Sequence, residues 1–221
     1  MKIALDGPSG AGKSTVAKAL AKRLGIIYVD TGALYRTVGL YVKRKGLDKN
    51  DTEGVISCLP EINLNMEFKD GEQVITLNGE RVGDNIRTGE IAMYASAVSA
   101  IPEVRAFLLN TQRDIASKNS VVMDGRDIGT VILPDAEVKV FMVASPEARA
   151  KRRFLELTAK GENCTLESVL ADIIERDKND STRKTAPCVP ASDAIIFDNS
   201  DYDVEGSVNY VIEIIKSKVS L

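Results

Sequence analysis

The stretch GPSGAGKST, residues 7–15, restricts the fold of this chain more than any other. It holds three glycines and a proline, yet it lies between the short apolar run KIALD (2–6) and the helical pattern KSTVAKALAKRL (13–24). It fits G-x-x-x-x-G-K-[ST], the glycine-rich turn that joins a buried strand to a helix and cradles phosphate. Gly7, Gly10 and Gly12 leave the backbone uncrowded, so successive N–H groups can converge on one anion, and the following helix N-terminus adds partial positive charge. Within this reading Gly7, Pro8, Ser9, Gly10, Ala11, Gly12, Lys13, Ser14 and Thr15 hold a nucleoside triphosphate. Lys13 reaches its β and γ phosphates, and the Ser14 hydroxyl ligates Mg²⁺.

The pattern downstream predicts an α/β fold. IIYV (26–29) is a second buried strand, and strand–helix–strand in about 30 residues is a βαβ unit with parallel strands. Gly25 is a C-terminal stop for the first helix. A helix is expected over 33–46, then a polar hinge, LDKNDTEG (47–54). INLNMEF (62–68) alternates apolar and polar, and the KDGE and NGE turns extend it into a small antiparallel meander, an insertion of roughly 60–87. Helices follow over 88–100 and 102–118, with Pro102 at the start of the second. Strands are expected at 120–124, 137–144 and 194–198, and helices from 145 (Ser145 cap, Pro146 in the first turn), over 165–177 and over 204–219. Asp124, closing the strand SVVMD, is either an acidic partner to the metal through water or a cap of the next turn.

Composition narrows the chemistry. There is no histidine, so the commonest general base and zinc ligand are missing. The 29 basic and 32 acidic residues give a net charge of −3, which supplies no strong whole-molecule attraction for nucleic acid or an acidic membrane. Three cysteines, Cys58, Cys164 and Cys188, stand far apart with no C-x-x-C, as expected of reduced thiols in a cytoplasmic protein. The N-terminus lacks a signal-peptide apolar core, and no run is long enough for a membrane span. Of the proteins that hold triphosphates, a GTPase switch should carry N-K-x-D, which is absent, and motors need longer chains. A small-molecule kinase remains, and an acceptor that itself carries phosphate needs arginines. Arg36, Arg126 and Arg176 lie just past strand ends or at helix-to-loop transitions, where open α/β sheets bind ligands. Solvated surface arginine is the competing reading for each.

DGPSGAGKST, DTGALYR, DGRDIGTVILPDA, ERDKNDSTR and VPASDA occur in this order along the chain. In these motifs and their spacing the chain closely resembles, end to end, the bacterial cytidylate kinases. The resemblance implies a P-loop three-layer α/β/α fold with a five-stranded parallel sheet in a single domain, 1–221. Its core would be 1–36, 88–145 and 164–221, its acceptor-binding insertion 37–87 and its lid 146–163. It implies transfer of the γ-phosphoryl group of ATP to CMP or dCMP with Mg²⁺. From charge, cysteines and apolar runs the expectation is a cytoplasmic protein without nucleic-acid or membrane partners, with a monomer as the default. Arg36 and Arg126 would hold the acceptor phosphate. Ser96, Arg105 and Asp127 would surround the cytosine with Arg183 alongside, and Arg176 and Asp180 would reach the ribose. Thr31 and Tyr35 would line the pocket. Lys13, Arg126, Arg149 and Arg153 would act on the transferring group, the last two from the lid, and Ser14 with Asp124 would hold the metal. The residues alone leave open another acceptor, such as UMP, shikimate or dephospho-coenzyme A, and a nucleotide-dependent switch or binding protein.

Overall fold

A computed structural model describes residues 1–69, 71–159 and 161–219. Asp70 of the expected KDGE turn and Lys160 of the expected lid lie outside the described residues. In chain order the strands are β1 (Lys2–Asp6), β2 (Ile27–Asp30), β3 (Leu64–Lys69), β4 (Glu72–Leu77), β5 (Glu80–Arg81), β6 (Val121–Gly125), β7 (Val138–Val143) and β8 (Ile195–Asp198). The helices are α1 (Lys13–Leu24), α2 (Thr31–Arg44), α3 (Thr52–Cys58), α4 (Gly89–Val98), α5 (Pro102–Lys118), α6 (Pro146–Ala159), α7 (Leu166–Thr182) and α8 (Val204–Lys218). A five-stranded sheet runs in the order β2–β6–β1–β7–β8, and β1 pairs in parallel with both β6 and β7. A separate antiparallel sheet has the order β3–β4–β5. The chain divides into two compact units, Met1–Ile26 with Ser120–Leu221, and Ile27–Asn119.

The first unit owes its stability to central strands covered on both faces. Ile3, Ala4 and Leu5 of β1 and Val121, Val122 and Met123 of β6 are fully buried, which is why these strands read as continuous apolar runs. Helix α1 places Val16, Ala17 and Leu20 inward and lies against β6 and α8. Each such Leu, Ile or Val contributes roughly 1.5–3 kcal/mol by leaving water. Gly25 ends α1 in the left-handed conformation, its N–H donating to Ala21 O, as the sequence predicts. The Ser145 hydroxyl accepts from Ala148 N at the start of α6. Helices α6 and α7 share a small apolar seam of Ala150, Leu157, Val169 and Ile173.

The second unit packs α2, α4, α5 and the meander around Leu34, Val38, Val42, Ile91, Val98 and Val104. A Cβ on Gly39 would lie 3.0 Å from Ala95 N, so glycine lets α2 and α4 approach. The meander shows the predicted alternation, with Leu64, Met66 and Phe68 half-buried and Asn65 and Glu67 exposed. The expected hinge at 47–54 differs. Asp51 accepts from Gly54 N and starts α3 inside it, a capping interaction that the polar composition conceals. Helix α2 begins two residues earlier than the apolar pattern suggests, because Asp30 caps it. Helix α7 continues five residues past 177, through Asp180. A π-helical turn, Ile128–Ile132, follows β6 and has no signature in the sequence.

Candidate functional site

In the first unit the glycine-rich loop leaves β1 at Asp6. Gly7 has φ +142°, and a Cβ there would sit 2.0 Å from Met142 O, so only glycine fits. Gly12 caps α1 with φ +80° and offers no side-chain acceptor, and no acidic residue lies in the first turn. The terminal amides of α1 are thus left for an anion. Lys13 is buried and its Nζ donates to Pro8 O at 2.7 Å. Burial, then the charge of Arg126, lower its pKa to about 7 against the pull of Asp124. The Ser14 hydroxyl donates to Asp124 Oδ2 at 2.7 Å. A hydroxyl and a carboxylate side by side are hard oxygen donors of the kind Mg²⁺ takes in small number, completing its shell with phosphate and water. Among the described residues no group of three or more His, Cys, Asp or Glu could hold a metal by itself.

The loop is held from behind by Arg149, expected in the lid, and by Asp177 and Asn199, to which the sequence assigns no role. Arg149 is 3% exposed and donates from Nε to Ala144 O (2.9 Å) and from Nη1 to Ser9 O (3.0 Å). Its two terminal nitrogens also reach Asp177 Oδ1 and Oδ2 at 3.0 and 2.6 Å. Asn199, just past the end of β8, donates to Ala11 O at 2.9 Å and its main-chain oxygen accepts from Arg152 Nη2 at 2.7 Å. The two expected lid arginines therefore stand differently. Arg149 is built into the floor of the loop, while Arg153 is partly exposed and pairs with Glu156 on its own helix at 2.9 Å. Asp177 lies within ERDKNDSTR without a role that the sequence assigns, and Asn199 carries no motif; their places, on the helix facing α6 and beyond a sheet strand, are what could have suggested them.

Arginines expected to meet the acceptor gather around one carboxylate in the same unit. Arg126 Nε donates to Asp180 Oδ2 at 2.9 Å, and Arg183 Nη1 lies 3.7 Å from Oδ1. Burial raises the Asp180 pKa, but the charges of Arg126, Arg176 and Arg183 outweigh it and hold it below the ordinary carboxylate range. Burial opposes the charge on Arg126, yet Asp180 and Asp124 keep its pKa above the ordinary value. Asp127, one residue on, is 3% exposed. Asp6 is also buried, and its carboxylate accepts from Ile128 N and Gly129 N, each at 2.7 Å. Burial pushes its pKa up to about 6 although both amides and Lys13 favour the ion. Burial raises the pKa of the Cys188 thiol, near enough to Arg126 and Lys13 to feel both, so it is a poor nucleophile.

In the second unit the start of α2 brings Thr31, Tyr35 and Arg36 together. Asp30 accepts from Ala33 N (3.0 Å) and from Arg36 Nη2 (2.7 Å). The guanidinium lies over Gly32, where a Cβ would come within 3.0 Å of Nη1. Arg36 Nε is buried without a partner among the described residues. Arg105 lies over the Tyr35 ring at 5.3 Å and donates to Ser99 O at 3.0 Å. Ser96 sits half-buried on α4, its main-chain oxygen accepting from the Ser99 hydroxyl. Gln73 of the meander pairs with both main-chain groups of Asp30, accepting from N at 2.8 Å and donating to O at 3.2 Å. Asp30 opens DTGALYR without a role that the sequence assigns, and Gln73 carries no motif.

Comparison with known proteins gives the family. The family model described as Cytidylate kinase matches residues 3–217. A cytidylate kinase of Fervidobacterium nodosum is 50% identical over 217 residues, 98% of this chain and 97% of its own. One from Thermosipho melanesiensis is 48% identical over 220 residues, 100% of this chain and 99% of its own. Among solved structures, shikimate kinase from Bacteroides thetaiotaomicron superposes with a TM-score of 0.50 at 16% identity, covering 98% of each chain, a likeness of fold. Loop, sheet and sequence agree: the chain belongs to the cytidylate kinase family.

Proposed function

We propose that the protein transfers the γ-phosphoryl group of ATP to CMP or dCMP, giving ADP and CDP or dCDP. The observation that carries this reading is that one unit holds both an anion-ready loop, with Lys13 and the Ser14–Asp124 pair, and a second cationic cluster around Asp180. The two are close enough for Arg126 to be the main charge acting on Lys13. A chain that binds one triphosphate and nothing else has no use for the second cluster.

The acceptor phosphate is already an anion, so the missing histidine is no handicap. The chain's work is alignment and neutralisation by Lys13, Arg126 and, in the second unit, Arg36. Mg²⁺ fits Ser14 and, through water, Asp124, and when bound it would neutralise charge on the transferring phosphates. Arg149 shapes the loop through Ser9, and Arg153 is the arginine of 146–163 freer to reach a phosphate. Closure of this lid and of the 37–87 insertion excludes water, which would otherwise compete as acceptor. Cytosine presents an N4 amino donor beside acceptors at N3 and O2. A carboxylate such as Asp127 suits the first, and arginines such as Arg105 or Arg183 the others. Thr31, Tyr35 and Ser96 line the pocket, and Arg176 with Asp180 serves the ribose. The reading includes a monomeric cytoplasmic enzyme without nucleic-acid or membrane partners; among the described residues no single helix is long and apolar enough to cross a membrane.

ADP release measured over CMP, dCMP, UMP, AMP and dTMP tests the reading. Turnover is expected with the two cytosine nucleotides, and its absence with both overturns it. In the same assay Asp127→Ala is expected to lower the ratio of CMP to UMP turnover by about 100-fold, because uracil's O4 no longer faces a carboxylate. Equal losses on both contradict the role given to Asp127.

A proton should accompany the nucleotide. With its pKa near 7, Lys13 in the ligand-free protein is mostly neutral at about pH 8, and a triphosphate beside it favours the ammonium. ATP binding at about pH 8 is expected to take up close to one proton, and affinity to fall as pH rises above 7. Calorimetry in buffers of different ionisation enthalpy measures this uptake, and identical heats would contradict it.

A further inference from the structure

Asp6 joins the two halves of the first unit's site. Its main chain pairs with Gly125 across β1 and β6, and its carboxylate accepts from Ile128 N and Gly129 N, both at 2.7 Å. One residue thus grips the chain on either side of Arg126 and Asp127, while being covalently the first residue before the glycine-rich loop. Both carboxylate oxygens are engaged by main-chain donors at the start of the π-helical turn Ile128–Ile132. Such turns are rare and recur at functional sites. A Cβ on Gly129 would crowd the Lys139 stem at 3.1 Å and lie in ordinary contact with Asp6 Oδ2 at 3.4 Å. A carboxylate kept buried beside another buried acid, Asp127, is a costly way to hold a turn if the turn's position does not matter.

We propose that Asp6 is a positioning residue for phosphoryl transfer, fixing the spacing between the triphosphate loop and the segment that carries Arg126 and Asp127. This rests on the kinase reading above. Either anion can bind with the tie loosened, but the two then meet out of line, and a misplacement of about 1 Å costs on the order of 100-fold in rate. The signature is a split between rate and affinity, which general loss of structure would not produce.

Asp6→Asn keeps the shape but presents only one acceptor, turning an amide N–H₂ toward the other main-chain donor. Its kcat with CMP is expected to fall about 30- to 100-fold. The separate dissociation constants of CMP and of a non-hydrolysable ATP analogue, read by calorimetry, should change by less than about 5-fold. Gly129→Ala, which leaves the charge in place and sets a methyl tightly against the Lys139 stem at 3.1 Å, beside the tie, should show the same split with about a 3- to 10-fold fall in kcat, and it keeps the test open if Asp6→Asn fails to fold. A kcat within about 3-fold of wild type in both variants, or rate and affinity falling in step, overturns the proposal.

A second readout does not need turnover. The ATP analogue should slow hydrogen exchange of the Ile128 and Gly129 amides in the wild-type protein and not in Asp6→Asn. Exchange that the analogue leaves unchanged in wild type overturns the tie. If wild type shows this slowing but phosphorylates no cytosine nucleotide, the kinase reading fails while the tie stands.

Discussion

Lys13→Met is expected to lower phosphoryl transfer by roughly 100- to 1,000-fold while leaving the protein folded and at least as stable as wild type. The methionine keeps the buried aliphatic stem and removes only the ammonium. In the transition state that ammonium faces charge spread over the transferring phosphoryl group, where losing one preorganised electrostatic partner costs about 3–4 kcal/mol, or roughly 100- to 1,000-fold in kcat. The folded state bears the opposite balance. Burial lowers the Lys13 pKa from 10.5 to about 7, so the protonated form is disfavoured on folding. That destabilisation is fully present below about pH 7 and fades as pH rises from 7 toward the unfolded value of 10.5. Removing the charge therefore helps stability most at neutral and acidic pH. Steady-state kinetics and thermal melts at two pH values check both halves. Appreciable turnover, or a melting temperature clearly below wild type at about pH 6, contradicts the account.

Asp177→Ala is expected to destabilise the protein by about 3 kcal/mol, because it strands the Arg149 guanidinium in a site that is 3% exposed. For a chain of this length that is a fall of roughly 6–12 °C in melting temperature. Activity should fall as well, since the same guanidinium holds Ser9 O and so the shape of the phosphate loop. The double variant Asp177→Ala with Arg149→Met should recover most of the stability, as replacing both members of a buried pair by apolar groups is often neutral. It should not recover activity. A single variant that melts within about 2 °C of wild type shows that the pair contributes little.

The sequence made the triphosphate loop legible because its physics is local. Gly7, Gly10 and Gly12 are needed for backbone shape, and Lys13 and Ser14 follow at fixed offsets on one helix turn. The meander was legible for the same reason, through its period-two alternation and glycine turns. The supports were not. Asn199, Asp6 and Gln73 act on main-chain oxygens and amides that are remote in sequence and have no side-chain identity to read, and Asp177 acts on an arginine 28 residues away. Helix α3 was hidden because a capping aspartate and a polar hinge look alike until the backbone is seen. Arg149 shows the limit of counting charges: ARAKRR reads as one basic stretch, yet its first arginine is buried under the loop, Arg152 supports Asn199 and Arg153 lies at the surface.

Arg36 pairs with Asp30, and Arg126 with Asp180. If Arg126 takes the acceptor phosphate as proposed, the arriving anion does not fill a naked positive hole; it changes places with a resident carboxylate. Such an exchange releases few counterions, so acceptor affinity should depend only shallowly on ionic strength, and stray inorganic phosphate in the cell, lacking a base and sugar to compensate, should make a weak competitor.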